Sequence, residues 1–137
     1  MRPAAIILIA AAASACAASA ATEPRTAKAE TRLQKALAGK VAGAPVKCLP
    51  SYRSNDMTII DDNTILYRDG RNRVYRNDPP GGCSPMGNPG YTLVTRPLTG
   101  QSCRGDIVRV VDLTSRMTVG SCSLGDFVVY QTPGTRP

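Results

Sequence analysis

Met57-Thr58-Ile59-Ile60-Asp61-Asp62-Asn63-Thr64-Ile65-Leu66-Tyr67-Arg68-Asp69-Gly70-Arg71-Asn72-Arg73-Val74-Tyr75-Arg76 reads as three short strands joined by two tight turns. The runs at 57–60, 64–68 and 73–76 are rich in Ile, Thr, Tyr and Val, which suit a pleated surface. Asp61-Asp62-Asn63 and Asp69-Gly70 supply turn chemistry between them. The same alternation returns at Tyr91 to Arg96, Ile107 to Leu113, Met117 to Gly120 and Phe127 to Tyr130. Six to seven short strands at this spacing predict a mainly β fold, a small antiparallel barrel or sandwich. Asn77 to Gly90 holds four Pro and four Gly and is expected to be an irregular loop pinned by Cys83. Upstream, Leu33, Leu37 and Val41 recur at helical spacing, so a short N-terminal amphipathic helix is expected over Ala27 to Ala42, ended by Gly43 and Pro45.

The chain opens with Arg2, an Ala/Ile/Leu run and then Ala18-Ser19-Ala20. This is the order of a secretory signal, and its apolar run is too short to span a bilayer. The expected organisation is therefore a signal peptide over 1–20, a basic linker with the short helix over 21–47, and a disulfide-stabilised β domain over 48–137. Cys16 follows Ala13-Ser14-Ala15 and offers an alternative, lipidation, which would make the product a membrane-anchored lipoprotein instead of a periplasmic or secreted protein. After residue 20, Leu, Ile, Val and Phe make up about a fifth of the chain, close to the limit for folding, so a covalent supplement is expected. Cys48, Cys83, Cys103 and Cys122 are an even set in an exported protein and read as two disulfides. Their wide spacing lacks the close pairs of a zinc site, so no metal is expected. Three pairings are open, and loop-closure energetics, about 4 kcal/mol per bridge, does not choose among them.

The chain has 137 residues and contains no histidine, which removes Ser-His-Asp and Cys-His nucleophile systems and His-ligated metals. Its net charge of +7 is concentrated before Cys48, where Arg25, Lys28, Arg32, Lys35, Lys40 and Lys47 face Glu23 and Glu30, so it is a poor sign of nucleic-acid binding. Within the β domain one basic and aromatic cluster stands out: Arg68, Arg71, Arg73 and Arg76 with Tyr67 and Tyr75. Guanidinium forks match phosphate and carboxylate, and tyrosine faces stack on sugars, so this cluster is the candidate surface for an anionic ligand. A solvated strand face whose tyrosines alternate into the core is the plainer account of the same residues. Acid-base chemistry would fall to aspartates, with Asp106 and Asp126 as the pair to test for a glycosidase dyad.

The runs 37–48, 59–62, 65–67, 74–75 and 93–95, Cys103 with Asp106-Ile107-Val108-Arg109-Val110-Val111-Asp112, and 124–130 resemble a family of small exported proteins of Gram-negative bacteria with no assigned function. The resemblance covers about Leu33 to Tyr130 and implies a Cys48–Cys103 bond, which leaves Cys83 to Cys122. The function expected is a non-enzymatic binding or structural module of the bacterial envelope, monomeric and without cofactor. Its partner would be an envelope protein or glycan, with membrane contact only through a lipidated Cys16. An Asp-dependent hydrolase of cell-wall glycan and an inhibitor or accessory subunit of a periplasmic enzyme are the alternatives.

Overall fold

The structure is a computed structural model describing residues 24–50, 56–97 and 100–135; the expected signal peptide and Cys16 lie outside the described residues. One helix and eight strands follow in the order α1 (Ala27–Leu37), β1 (Val41–Val46), β2 (Met57–Asp61), β3 (Thr64–Asp69), β4 (Arg73–Asn77), β5 (Tyr91–Thr95), β6 (Ile107–Asp112), β7 (Thr118–Ser123) and β8 (Phe127–Gln131). They make two antiparallel sheets, β1-β8-β4-β3-β2 and β5-β6-β7. The fold is mainly β as expected. The sheets do not close into a barrel, and the described strands number eight instead of six or seven.

The added strand is β1, which corrects the helix expected over Ala27 to Ala42. Thr26 caps the helix start, its hydroxyl accepting from the Ala29 amide. The helix ends at Leu37 because Ala38 leaves helical geometry and Gly39 takes a left-handed φ of 70°, turning the chain back through a Lys40 N–H to Leu37 carbonyl bond. Val41–Val46 is exposed throughout and has no buried face to mark it as a strand. It pairs with β8 from Val41 opposite Gln131 to Val46 opposite Phe127, interrupted by a bulge before Pro45.

The inner faces of the two sheets share one core. Ile65, Tyr67, Tyr75 and Phe127 of the larger sheet meet Leu93, Val108 and Val110 of the smaller, and Leu49, Met86 and Leu124 fill in from the connections. Tyr67 and Phe127 pack edge to face with ring centroids 5.7 Å apart. On the outer face of the larger sheet, α1 lays Ala29 and Leu33 over Ile60, Leu66 and Val74.

Two disulfides join the thin core to its loops. Cys48–Cys103 (2.07 Å) spans an isolated antiparallel bridge flanked by Leu49 N–H to Ser102 carbonyl and Arg104 N–H to Lys47 carbonyl bonds. Cys83–Cys122 (2.03 Å) fastens the Pro/Gly loop to β7, and that loop carries Cys83 and Met86 into the core. This is the pairing the resemblance implied. Such bonds persist in oxidising surroundings outside the cytoplasm. Among the described residues, no helix is long and apolar enough to cross a membrane. A polar clasp adds to them: the fully buried Asn77 on β4 donates to the Gly125 carbonyl at 2.7 Å and accepts from the Gly125 N–H at 3.0 Å.

Candidate anion-binding groove

The helix sorts its charges by side. With Ala29, Leu33 and Ala36 turned to the sheet, the 3.6-residue repeat puts Lys28, Arg32 and Lys35 on one flank and Glu30 and Gln34 on the other. Glu30 accepts from Gln34 at 2.9 Å and meets Arg25 at 3.4 Å. Among the described residues the basic flank has no such pairing. Like charges three and four residues apart destabilise a helix by about 0.2 to 0.5 kcal/mol per pair, so this face is not explained by helix stability alone.

That flank overlooks a groove of about 520 Å³ between α1 and the outer face of β2, β3 and β4. Arg32 and Lys35 come from the helix, Lys40 from the turn after it, Arg68 from β3 and Arg71 from the β3–β4 turn. The floor includes Ala36, Ile60 and Val74, and among the described residues no acidic side chain lines the groove. The turn carrying Arg71 is closed by Gly70 at φ 65°, a left-handed conformation that few other residues take readily. Arg32 donates to the Ile59 and Ile60 carbonyls at 2.8 and 3.3 Å, which fixes the guanidinium without neutralising it. Among the described residues, Lys35, Lys40, Arg68 and Arg71 form no ion pair.

The sequence cluster is thus divided. Arg68 and Arg71 reach the groove. Arg76 is diverted to Asp78 at 2.8 Å, and Arg73 lies 3.7 Å from Asp69 and 3.3 Å from the Gln131 side-chain oxygen. Tyr67 and Tyr75 alternate inward and are buried between the sheets, so neither ring is presented to a ligand. Burial pushes the Tyr67 hydroxyl well above the usual tyrosine range, and it has no hydrogen-bond partner among the described residues. Arg32 and Lys35 of the helix and Lys40 of the turn after it are absent from the cluster read in the sequence. Their common sign over 28–40 was visible, but which sheet strands they would face was not.

Asp106 and Asp126, like Asp61 and Asp62 of the β2–β3 turn, are engaged in turns and ion pairs. Asp61 pairs with Arg25 and accepts from the Asn63 N–H, and Asp62 accepts from the Gly87 N–H at 2.6 Å. Asp106 accepts from the Cys103 N–H at 2.8 Å, while Asp126 lies 3.4 Å from Arg104. Comparison with protein-family models, with curated proteins and with solved structures finds no match. The chemistry of the groove therefore follows from its own residues.

Proposed function

We propose that this protein is an exported, non-enzymatic binding module of the bacterial envelope that holds an anionic glycan in the groove between α1 and the larger sheet. The observation that carries the reading is the meeting of five cations, from the helix, its following turn, β3 and the β3–β4 turn, on one groove with no acidic lining residue among those described. Arg68 and Arg71 bring guanidinium forks that suit phosphate and carboxylate oxygens, Arg32 adds its charge while its fork holds the Ile59 and Ile60 carbonyls, and the Ile60 and Val74 floor offers an apolar surface to a sugar ring. The volume is that of a small-ligand site, larger than a single inorganic anion requires. The exported setting rests on the two disulfides and the leader-like start of the chain.

The test is titration calorimetry of the full chain with an oligouronate and, separately, a phosphorylated oligosaccharide of similar length. At least one should bind with an affinity that falls as salt rises, because the groove cations are exposed enough to be screened. Lys35→Gln, Arg68→Gln and Arg71→Gln should each weaken it by about ten-fold, the scale of one charge-assisted hydrogen bond. Absence of binding to both sugars, or equal binding by the triple variant, would overturn the proposal.

A further inference from the structure

The outer face of the three-stranded sheet is the other broad surface of the molecule, directed away from the groove because the inner faces of the two sheets meet in the shared core. Arg109 occupies its middle strand, opposite Val94 on β5 and Ser121 on β7. With Arg96 and Arg116 it borders a shallow hollow of about 370 Å³ that also exposes Val94, Ile107 and Val111. Beyond the hollow, the β6–β7 connection lifts Leu113 and Met117 into solvent, 59% and 66% exposed. Among the described residues no acid lines the hollow, and none of the three arginines forms an ion pair.

An exposed antiparallel face is ordinarily polar. This one combines a single sign of charge with aliphatic side chains. A purely anionic solute would satisfy the arginines and leave the aliphatic groups wet; a purely apolar partner would strand three guanidinium groups. An anionic lipid surface satisfies both, since headgroup phosphates accept from arginine forks while the aliphatic tip and the arginine stems enter the interfacial layer. We infer that this face docks onto membranes containing anionic phospholipid, leaving the groove turned toward the surrounding compartment. The inference stands apart from the glycan reading, because it uses none of the groove residues.

Vesicle flotation of the full chain tests it, with phosphatidylcholine vesicles compared with vesicles carrying 30% phosphatidylglycerol. The excess binding to the anionic vesicles is the readout, compared between variants that all carry the same N-terminal segment, so the contribution of Arg2 and its neighbours is common to them. Each arginine near an anionic surface contributes about five-fold, so Arg96→Gln, Arg109→Gln and Arg116→Gln together should reduce that excess on the order of a hundred-fold, and 1 M salt should do the same. Leu113→Ser with Met117→Ser should weaken binding while sparing its salt dependence. The groove variant Lys35→Gln, Arg68→Gln, Arg71→Gln should retain the excess. Equal binding to both vesicle types, an undiminished arginine variant, or loss in the groove variant alone would overturn the inference. Binding to polyglutamate that is lost in the arginine variant, without vesicle binding by the wild type, would also overturn it in favour of an acidic protein partner.

Discussion

Replacing Asn77 by Ala tests whether the amide clasp is a principal support of the fold. Asn77 is fully buried and serves both polar groups of Gly125, at 2.7 and 3.0 Å. Truncation leaves a buried N–H and a buried carbonyl without those partners, each costing about 1 to 3 kcal/mol, so the expected loss is about 4 kcal/mol. Against a total stability of about 5 to 15 kcal/mol, that is a large share, and for a domain of this size it lowers Tm by about 10 to 20 °C. Urea unfolding with the disulfides intact measures it as a lower midpoint at unchanged slope. Asn77→Asp supplies a control of nearly the same shape, because it keeps the acceptor for the Gly125 N–H but places a carboxylate oxygen where the amide donated. Burial should raise that carboxyl above its unfolded value of about 3.9, so the penalty grows as pH rises above about 4 and is relieved in acid. A loss below about 1 kcal/mol for Asn77→Ala, or no recovery of the Asp variant in acid, would refute the reasoning.

Three further outcomes are expected. Tyr67→Phe removes a buried hydroxyl that lacks a partner among the described residues and should be neutral or stabilising by up to about 1 kcal/mol in the same urea assay; the wild-type hydroxyl, raised by burial, should remain un-ionised past pH 10 by absorbance until alkali unfolds the chain, because stability is lost as pH rises above the unfolded tyrosine value. Removing the Cys83–Cys122 bond with a double Ser variant should cost about 2 to 4 kcal/mol by urea unfolding and expose the Pro/Gly loop to limited proteolysis. The Ser115 and Thr114 N–H groups hold the Asp112 carboxyl below the ordinary aspartate range; this contribution is present above about pH 4 and lost as pH falls through the depressed value, so the Thr114 and Ser115 amide resonances should shift only in stronger acid than a free aspartate requires.

The alternation of apolar and polar residues made seven of the eight described strands legible. The Asp61-Asp62-Asn63 turn was also legible, because short polar residues stand between apolar runs; in the structure Asp61 itself ends β2 and is paired with Thr64 across the turn. β1 was not, because Val41-Ala42-Gly43-Ala44-Pro45-Val46 buries no side chain and is a strand only through its bonds to β8, far along the chain. Gly39 was the better helix stop than Gly43, since a glycine directly after the last apolar turn can take the left-handed conformation that ends it. At the groove, Arg68 was visible as part of a basic strand run. The inward turn of Tyr67 and Tyr75 followed from alternation, but the capture of Arg73 by Asp69 and Arg76 by Asp78 depended on hairpin geometry. Placement of α1 across β2 to β4 is a tertiary fact that no local pattern encodes.

Arg32 also bears on how the protein avoids joining its neighbours. β2 is a terminal strand of the larger sheet, and unpaired carbonyls along such a strand are a template for another chain. The guanidinium occupies the Ile59 carbonyl, which faces the open edge, and reaches the neighbouring Ile60 carbonyl, while at the opposite margin Pro45 withholds an N–H and the bulge before it breaks the register. Both margins thereby discourage intermolecular sheet growth. Lysine at position 32 would preserve the charge but not the two-pronged contact with the Ile59 and Ile60 carbonyls, so Arg32→Lys would separate the groove's charge from the cover over β2.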